Sequence, residues 1–363
     1  MKKSFKITAV IAATLLFLSC SSKKEDKAEI RYHLNVGRLG SLTMSPTVTI
    51  ANYKGYFKKY GLEVNLQNLG DNIAEPLTLG KIDATFQSLT KELVLAANGQ
   101  DITFFGGTQS GGVYVGVHKD NYDLLKDPAN WRGKAVGAMQ LRTSDITMKD
   151  YAYHKLGYEI GKDIIFKPVE DKPSIAISIG KKTIDLGLVD PEFVSILEAN
   201  GGRVLANVTD FVPDNVCCRQ VAYTPNIKAN REAYVAFLKA QILAYKEFKL
   251  DVDNSIKTLA KAYGQDEDYV ITMIYDTKQN ANRGYNPDPN YNGVLGVFST
   301  LKDLGYLESS NIRQLHEFFD ISVYADALHA IIAEYPGDTF FTGLWEYFVS
   351  HNNEYPNFEK DFL

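Results

Sequence analysis

The stretch "LGKIDATFQSLTKE", residues 79–92, has a counterpart one hundred residues on, "IGKKTIDLGLVDPE", residues 179–192. Each is a helix end, a Gly-Lys, an Ile-Asp pair, a short strand pattern and a polar loop. A second pair recurs in the same order. "ANYKGYFKKYGLEVNLQ" (51–67) and "DYAYHKLGYEIGKDIIFKP" (150–168) are each a Tyr-rich helix, a glycine and a strand. Internal repetition at a fixed order predicts two structural units of similar construction.

The flanking sequence fits that plan. "RYHLNVG" (31–37) reads as a strand. "TVTIANYKGYFKKYG" (47–61) reads as an amphipathic helix closed by Gly61, the favoured residue past a last helical turn. "LEVNLQNL" (62–69) alternates as a strand, "EPLTLGK" (75–81) is a short helix, and "IDATF" (82–86) is another strand. Helices interleaved with short strands predict an α/β fold with a mainly parallel sheet. "GGVYVGVH" (111–118) and "RQVAYT" (219–224) read as strands that cross between the units. The helix "NREAYVAFLKAQILAYKEF" (230–248) carries Tyr234, Phe237, Leu238, Ile242, Tyr245 and Phe248 at helical spacing. The expected domains are lobe 1 over 31–117 and 223–363, with a helical tail packing back on it, and lobe 2 over 118–222.

The 363 residues suffice for two domains. A net charge of −5 argues against a nucleic-acid partner, which would call for a basic face. "MKKSFKITAVIAATLLFLSC" (1–20) has a basic start and an apolar run too short to span a bilayer, as a secretory signal does. It ends in "FLSC", which resembles a bacterial lipobox. Cys20 is therefore the expected lipidation site, and 21–30 a polar tether to the membrane. Disulfides are permitted outside the cytoplasm.

Several chemistries lack their signatures. No G-x-S-x-G or P-loop occurs, and "GGTQSGG" (106–112) lacks the Lys-Ser/Thr of a phosphate loop. The six histidines show no paired metal-ligand spacing. No cofactor or metal is expected.

"GYFKKYGLEVNLQ", "LTLGKIDATF" and "WRGKAVGA" (131–138) together resemble the extracytoplasmic solute-binding proteins of ABC importers, in the branch that handles nitrate, sulfonates and thiamine-pyrimidine precursors. The resemblance covers about residues 31–300. It implies the type II periplasmic binding fold, two α/β lobes joined by two crossing strands. It also implies a monomer that closes on a small molecule and delivers it to a permease and its ATPase subunits, without catalysis.

In open α/β sheets ligands bind beyond the carboxyl ends of the strands. The loops at those ends supply the candidate ligand-binding residues: Arg38, Ser41 and Ser45; Gln87 and Ser88; Gln109; Arg142, Thr143 and Ser144; Asp190; and Cys217, Cys218 and Arg219. Tyr114 is added as a stacking platform at the start of a crossing strand. Thr143 or Ser144 reads as a helix N-cap, with Asp145 in the first turn. Carboxylates and arginines in one cleft suit a ligand with donors and acceptors, such as an amino-heterocycle of the pyrimidine or flavin kind. A small oxyanion is the alternative.

Four readings stand open for "CC" at 217–218: a strained vicinal disulfide, a metal clamp, soft contact with ligand, or two small buried residues. The resemblance adds a rival function. Pyrimidine-precursor synthases share the fold and carry a longer CCCFC motif, from which "CCRQ" departs.

Overall fold

The computed structural model describes residues 29–70, 73–213, 215–307 and 311–363. The signal, the lipidation site Cys20 and most of the tether lie outside these residues.

The described residues form two five-stranded sheets. The first has the order β2-β1-β3-β10-β4, from β1 (Tyr32–Arg38), β2 (Leu62–Asn68), β3 (Ala84–Ser88), β4 (Ile102–Gly107) and β10 (Cys218–Tyr223). The second has the order β7-β6-β8-β5-β9, from β5 (Tyr114–His118), β6 (Ala135–Ala138), β7 (Ile165–Pro168), β8 (Leu186–Val189) and β9 (Gly202–Asn207). The two orders are the same once strands are matched. In each sheet four strands run in one direction, and one strand, β10 in the first and β5 in the second, runs antiparallel between its neighbours.

The sequence repeat has a physical cause. Asp83 Oδ2 accepts from the Asn35 amide at 2.6 Å, and Asp185 Oδ2 accepts from the Ala135 amide at 2.9 Å. Each aspartate satisfies the backbone where its strand joins its parallel neighbour, β1 for Asp83 and β6 for Asp185. The isoleucine before it fills the space over a strand glycine. A Cβ on Gly37 would fall 2.7 Å from Ile82, and one on Gly137 2.3 Å from Ile184. A strand glycine and an Ile-Asp pair thus form one joint, built twice.

The strands expected to cross do not. β5 lies wholly in the second sheet and β10 wholly in the first. The chain passes between the lobes at 108–113 and 215–217, and these two passages touch through the antiparallel bridge Ser110–Val216. The tail helices Arg231–Leu250, Tyr291–Asp303, Ser322–Glu334 and Thr339–Asn352 share one apolar core with the first sheet, as the buried Tyr234, Phe237, Leu238 and Ile242 require. The second lobe has two smaller cores, around Trp131 and around Ile179.

Candidate ligand cleft

A cavity of about 520 Å³ lies between the sheets, at the carboxyl ends of the parallel strands. That size is ordinary for a small-molecule site. The first lobe lines it with Leu39, Ser41, Thr43, Met44 and Ser88; the crossing segments add Gln109, Cys217 and Cys218. The second lobe adds Arg142 to Ser144, Glu170 to Lys172, Asp190, Glu192 and Phe193, and the tail reaches in with Arg283.

Both rims are held shut by contacts between lobes. On one rim Glu192 takes two hydrogen bonds from Arg283 Nη2, at 2.9 and 2.7 Å, and one from Thr43 Oγ1 at 2.8 Å. Burial alone would push the Glu192 carboxyl up, but the Arg283 guanidinium holds it below the usual glutamate range. On the other rim two helices cap each other. Ser88 Oγ accepts from the Thr143 amide at 3.1 Å, at the start of helix Thr143–Asp150. Thr143 Oγ1 accepts from the Leu89 amide at 3.2 Å, at the start of helix Leu89–Ala97. The same hydroxyl donates to the Cys217 carbonyl at 2.8 Å. Orphan amides at helix starts need such partners, and here each lobe supplies them to the other.

Of the residues expected from sequence, Ser41, Ser88, Gln109, Arg142, Thr143, Ser144, Asp190, Cys217 and Cys218 line the cavity. Five do not. Arg38 turns outward, donates to Asn68 Oδ1 at 2.8 Å and lies over the Tyr263 ring. Ser45 is buried at the start of helix Pro46–Tyr53. The Gln87 amide is taken by Glu92. Tyr114 donates to the Lys278 carbonyl at 2.8 Å, which fixes its ring to the tail rather than the cleft. Arg219 is buried and donates to the Pro289 carbonyl at 2.7 Å and the Cys218 carbonyl at 2.7 Å, stapling β10 to the tail. Thr143 lies inside its helix, with Arg142 as the N-cap residue and neither it nor Ser144 capping their own helix. Asp145 is buried against Lys149 at 2.9 Å.

Sequence reasoning missed Lys172 and Arg283. Lys172 follows β7, so the strand-end rule reaches it. It pairs with Asp190. Asp171 beside it accepts from the Ser174 amide at 2.8 Å and caps helix Lys172–Gly180. Arg283 comes from the tail, and no local pattern marks it.

The cysteines are free thiols with their sulfurs 3.1 Å apart. Cys218 is buried and Cys217 half-buried. Both amides donate to the Gln109 carbonyl, at 3.2 and 3.0 Å. Among the described residues, no group of three His, Cys, Asp or Glu side chains gathers as a metal site. No helix among them is long and apolar enough to cross a membrane.

Two matching lobes, a double crossing and a cleft at the strand ends define the type II periplasmic binding fold. Solved structures agree. The nitrate-binding protein NrtA of Synechocystis PCC 6803 superposes with a TM-score of 0.66 at 16% identity, covering 84% of this chain and 90% of that one. A ligand-binding component of an ABC-type import system from Staphylococcus aureus gives 0.61 at 18% identity, covering 82% and 99%. The desulfurization enzyme DSZB gives 0.55 at 12% identity, covering 83% and 100%, so the fold alone does not separate binders from enzymes. No curated protein matches the sequence. Residues 45–249, more than half of the 363-residue chain, match the NMT1/THI5-like family, and the chain belongs to it.

Proposed function

We propose that this chain is the solute-binding protein of an ABC importer, exported and held to a membrane through Cys20. Its cleft takes a small nitrogen heterocycle, neutral or cationic, and delivers it unchanged to a permease. The charge of the cleft carries this reading. The described lining residues include four carboxylates, Glu170, Asp171, Asp190 and Glu192, against three basic groups, Arg142, Lys172 and Arg283. Lys172 and Arg283 are engaged by Asp190 and Glu192. A bare nitrate or sulfonate would enter against that balance, whereas ring N–H and amino groups find acceptors there. Phe193, Met44 and Met139 offer apolar and polarisable faces to a flat ring, the part first assigned to Tyr114.

Titration calorimetry with an aminopyrimidine, a flavin, nitrate and methanesulfonate tests this. Heat of binding from one of the heterocycles alone is the expected result. Saturable binding of nitrate or methanesulfonate, with none for either ring, would replace the reading by that of an oxyanion carrier.

A further inference from the structure

The two cysteines sit where the lobes are latched. The peptide group joining them is the hub of that latch. Its carbonyl, on Cys217, accepts from Thr143 Oγ1 of the second lobe at 2.8 Å and from the Leu89 amide of the first at 3.2 Å. Its N–H, on Cys218, donates to the Gln109 carbonyl of the crossing segment at 3.0 Å. Both residues line the cavity, their sulfurs lie 3.1 Å apart, and Cys217 is the half-buried one.

We propose that Cys217 and Cys218 form a dithiol–disulfide switch, oxidised by a low-molecular-weight disulfide that enters the cleft, and that oxidation releases the rim closed by Ser88 and Thr143. The switch goes beyond the transport reading and does not depend on which solute the cleft takes.

The chemistry balances as thiol–disulfide exchange. The Cys217 thiol loses its proton to water, and its thiolate attacks one sulfur of the incoming disulfide. A mixed disulfide forms and one thiolate leaves. Cys218 gives its proton to that thiolate and attacks the Cys217 sulfur. The second thiolate departs and takes up the proton that Cys217 released. Two electrons pass from the cysteines to the oxidant, which ends as two thiols. The surroundings suit Cys217 as the attacking group. The hydrogen bond from Cys218 holds its thiol below the usual cysteine range, with Lys172 and Arg219 adding positive charge against the opposing effects of burial and Asp190. Cys218 is pushed up by the same hydrogen bond and by burial, which suits the resolving thiol.

The mechanical consequence follows from geometry. Adjacent Cα atoms lie about 3.8 Å apart across a trans peptide, whereas disulfides span about 4.4–6.8 Å. Closing the ring therefore twists the 217–218 peptide. That peptide cannot turn and still present its carbonyl to both Thr143 and Leu89.

The test uses the purified chain with no added solute, so its outcome is separate from the ligand assignment. The protein is treated with oxidised glutathione, then alkylated and mapped by mass spectrometry, and hydrogen exchange is followed in parallel. The peptide holding both cysteines should become resistant to alkylation and lighter by two hydrogens. Amides of Leu89 and Thr143 should then exchange roughly tenfold faster, the size expected when two ordinary hydrogen bonds are lost. Cys217→Ser should remove both responses, and Cys218→Ser should stop at a mixed disulfide with glutathione. A wild-type chain that yields no internal disulfide overturns the switch. So does a disulfide that leaves exchange at Leu89 and Thr143 unchanged, or a Cys217→Ser chain whose exchange still responds to the oxidant.

Discussion

The two lobes share a fold but not a chemistry. Where the first lobe meets the cleft it offers hydroxyls and apolar groups, Ser41, Thr43, Ser88, Leu39 and Met44. The second offers Arg142, Glu170, Asp171, Lys172, Asp190 and Glu192. One duplicated scaffold thus carries a jaw whose own loops are neutral, with Arg283 added to its side by the tail, and a charged jaw. Buried carboxyls occur in both halves and differ in their partners. The first lobe and tail bury Glu92 and Asp288, which burial pushes up to about 7 and about 6. In the second lobe burial raises Asp145 as well, whereas Glu192 is matched by Arg283 and held below its usual range. On the proposed function, selection among solutes by charge rests on the second lobe together with Arg283 of the tail, while Glu92 and Asp288 make the first lobe and tail sensitive to pH.

The largest effect expected from breaking this division is at the charged jaw. Glu192→Gln leaves the Arg283 guanidinium buried without its counter-ion, and removing one partner of a buried pair costs about 3 kcal/mol. A lower denaturant midpoint and weaker solute binding should both appear. The paired carboxylate stabilises above the ordinary glutamate pKa, and that contribution is lost as pH falls through its depressed folded value. The variant should therefore lose less stability on acidification than the wild type.

A comparable effect of opposite sign belongs to the neutral jaw. Glu92 is raised in the fold from 4.5 to about 7, so its contribution is complete below pH 4.5 and is lost as pH climbs toward 7. Unfolding free energy should fall by at most about 3 kcal/mol between pH 5 and pH 8 from this group. Glu92→Gln should flatten that slope, and a slope unchanged in the variant would remove Glu92 from the account.

Thr143→Val comes next. It takes away the hydroxyl that serves Leu89 and Cys217 across the cleft, at a cost of about 1–3 kcal/mol for buried partners left unpaired. Solute dissociation should quicken more than association slows. Smallest is Ser41→Ala, a neutral-jaw hydroxyl whose loss should weaken binding by about 0.5–1.5 kcal/mol. If Ser41→Ala outweighed Glu192→Gln in calorimetry, the assignment of selectivity to the second lobe would be reversed.

Much of the architecture was legible because its joints are local. Ile82-Asp83 and Ile184-Asp185 carry both the backbone hook and the plug over a glycine within two residues, so duplication leaves a mark in sequence. The strand-end rule likewise found the 142–144 and 217–218 segments. It failed where side-chain direction decides. Arg38 and Arg219 stand at the right strand ends but turn toward Asn68 and Pro289. Tyr114 begins its strand as expected, yet a tail segment 164 residues away holds its hydroxyl. Arg283 reaches Glu192 across 91 residues of sequence, a pairing that only tertiary packing creates.

Native mass spectrometry of the chain as purified weighs and then fragments whatever small molecule stays in the cleft. The expected species is one neutral or cationic nitrogen heterocycle, lost from the Glu192→Gln chain. A retained nitrate or sulfonate, or a solute whose occupancy ignores Glu192→Gln, would contradict it.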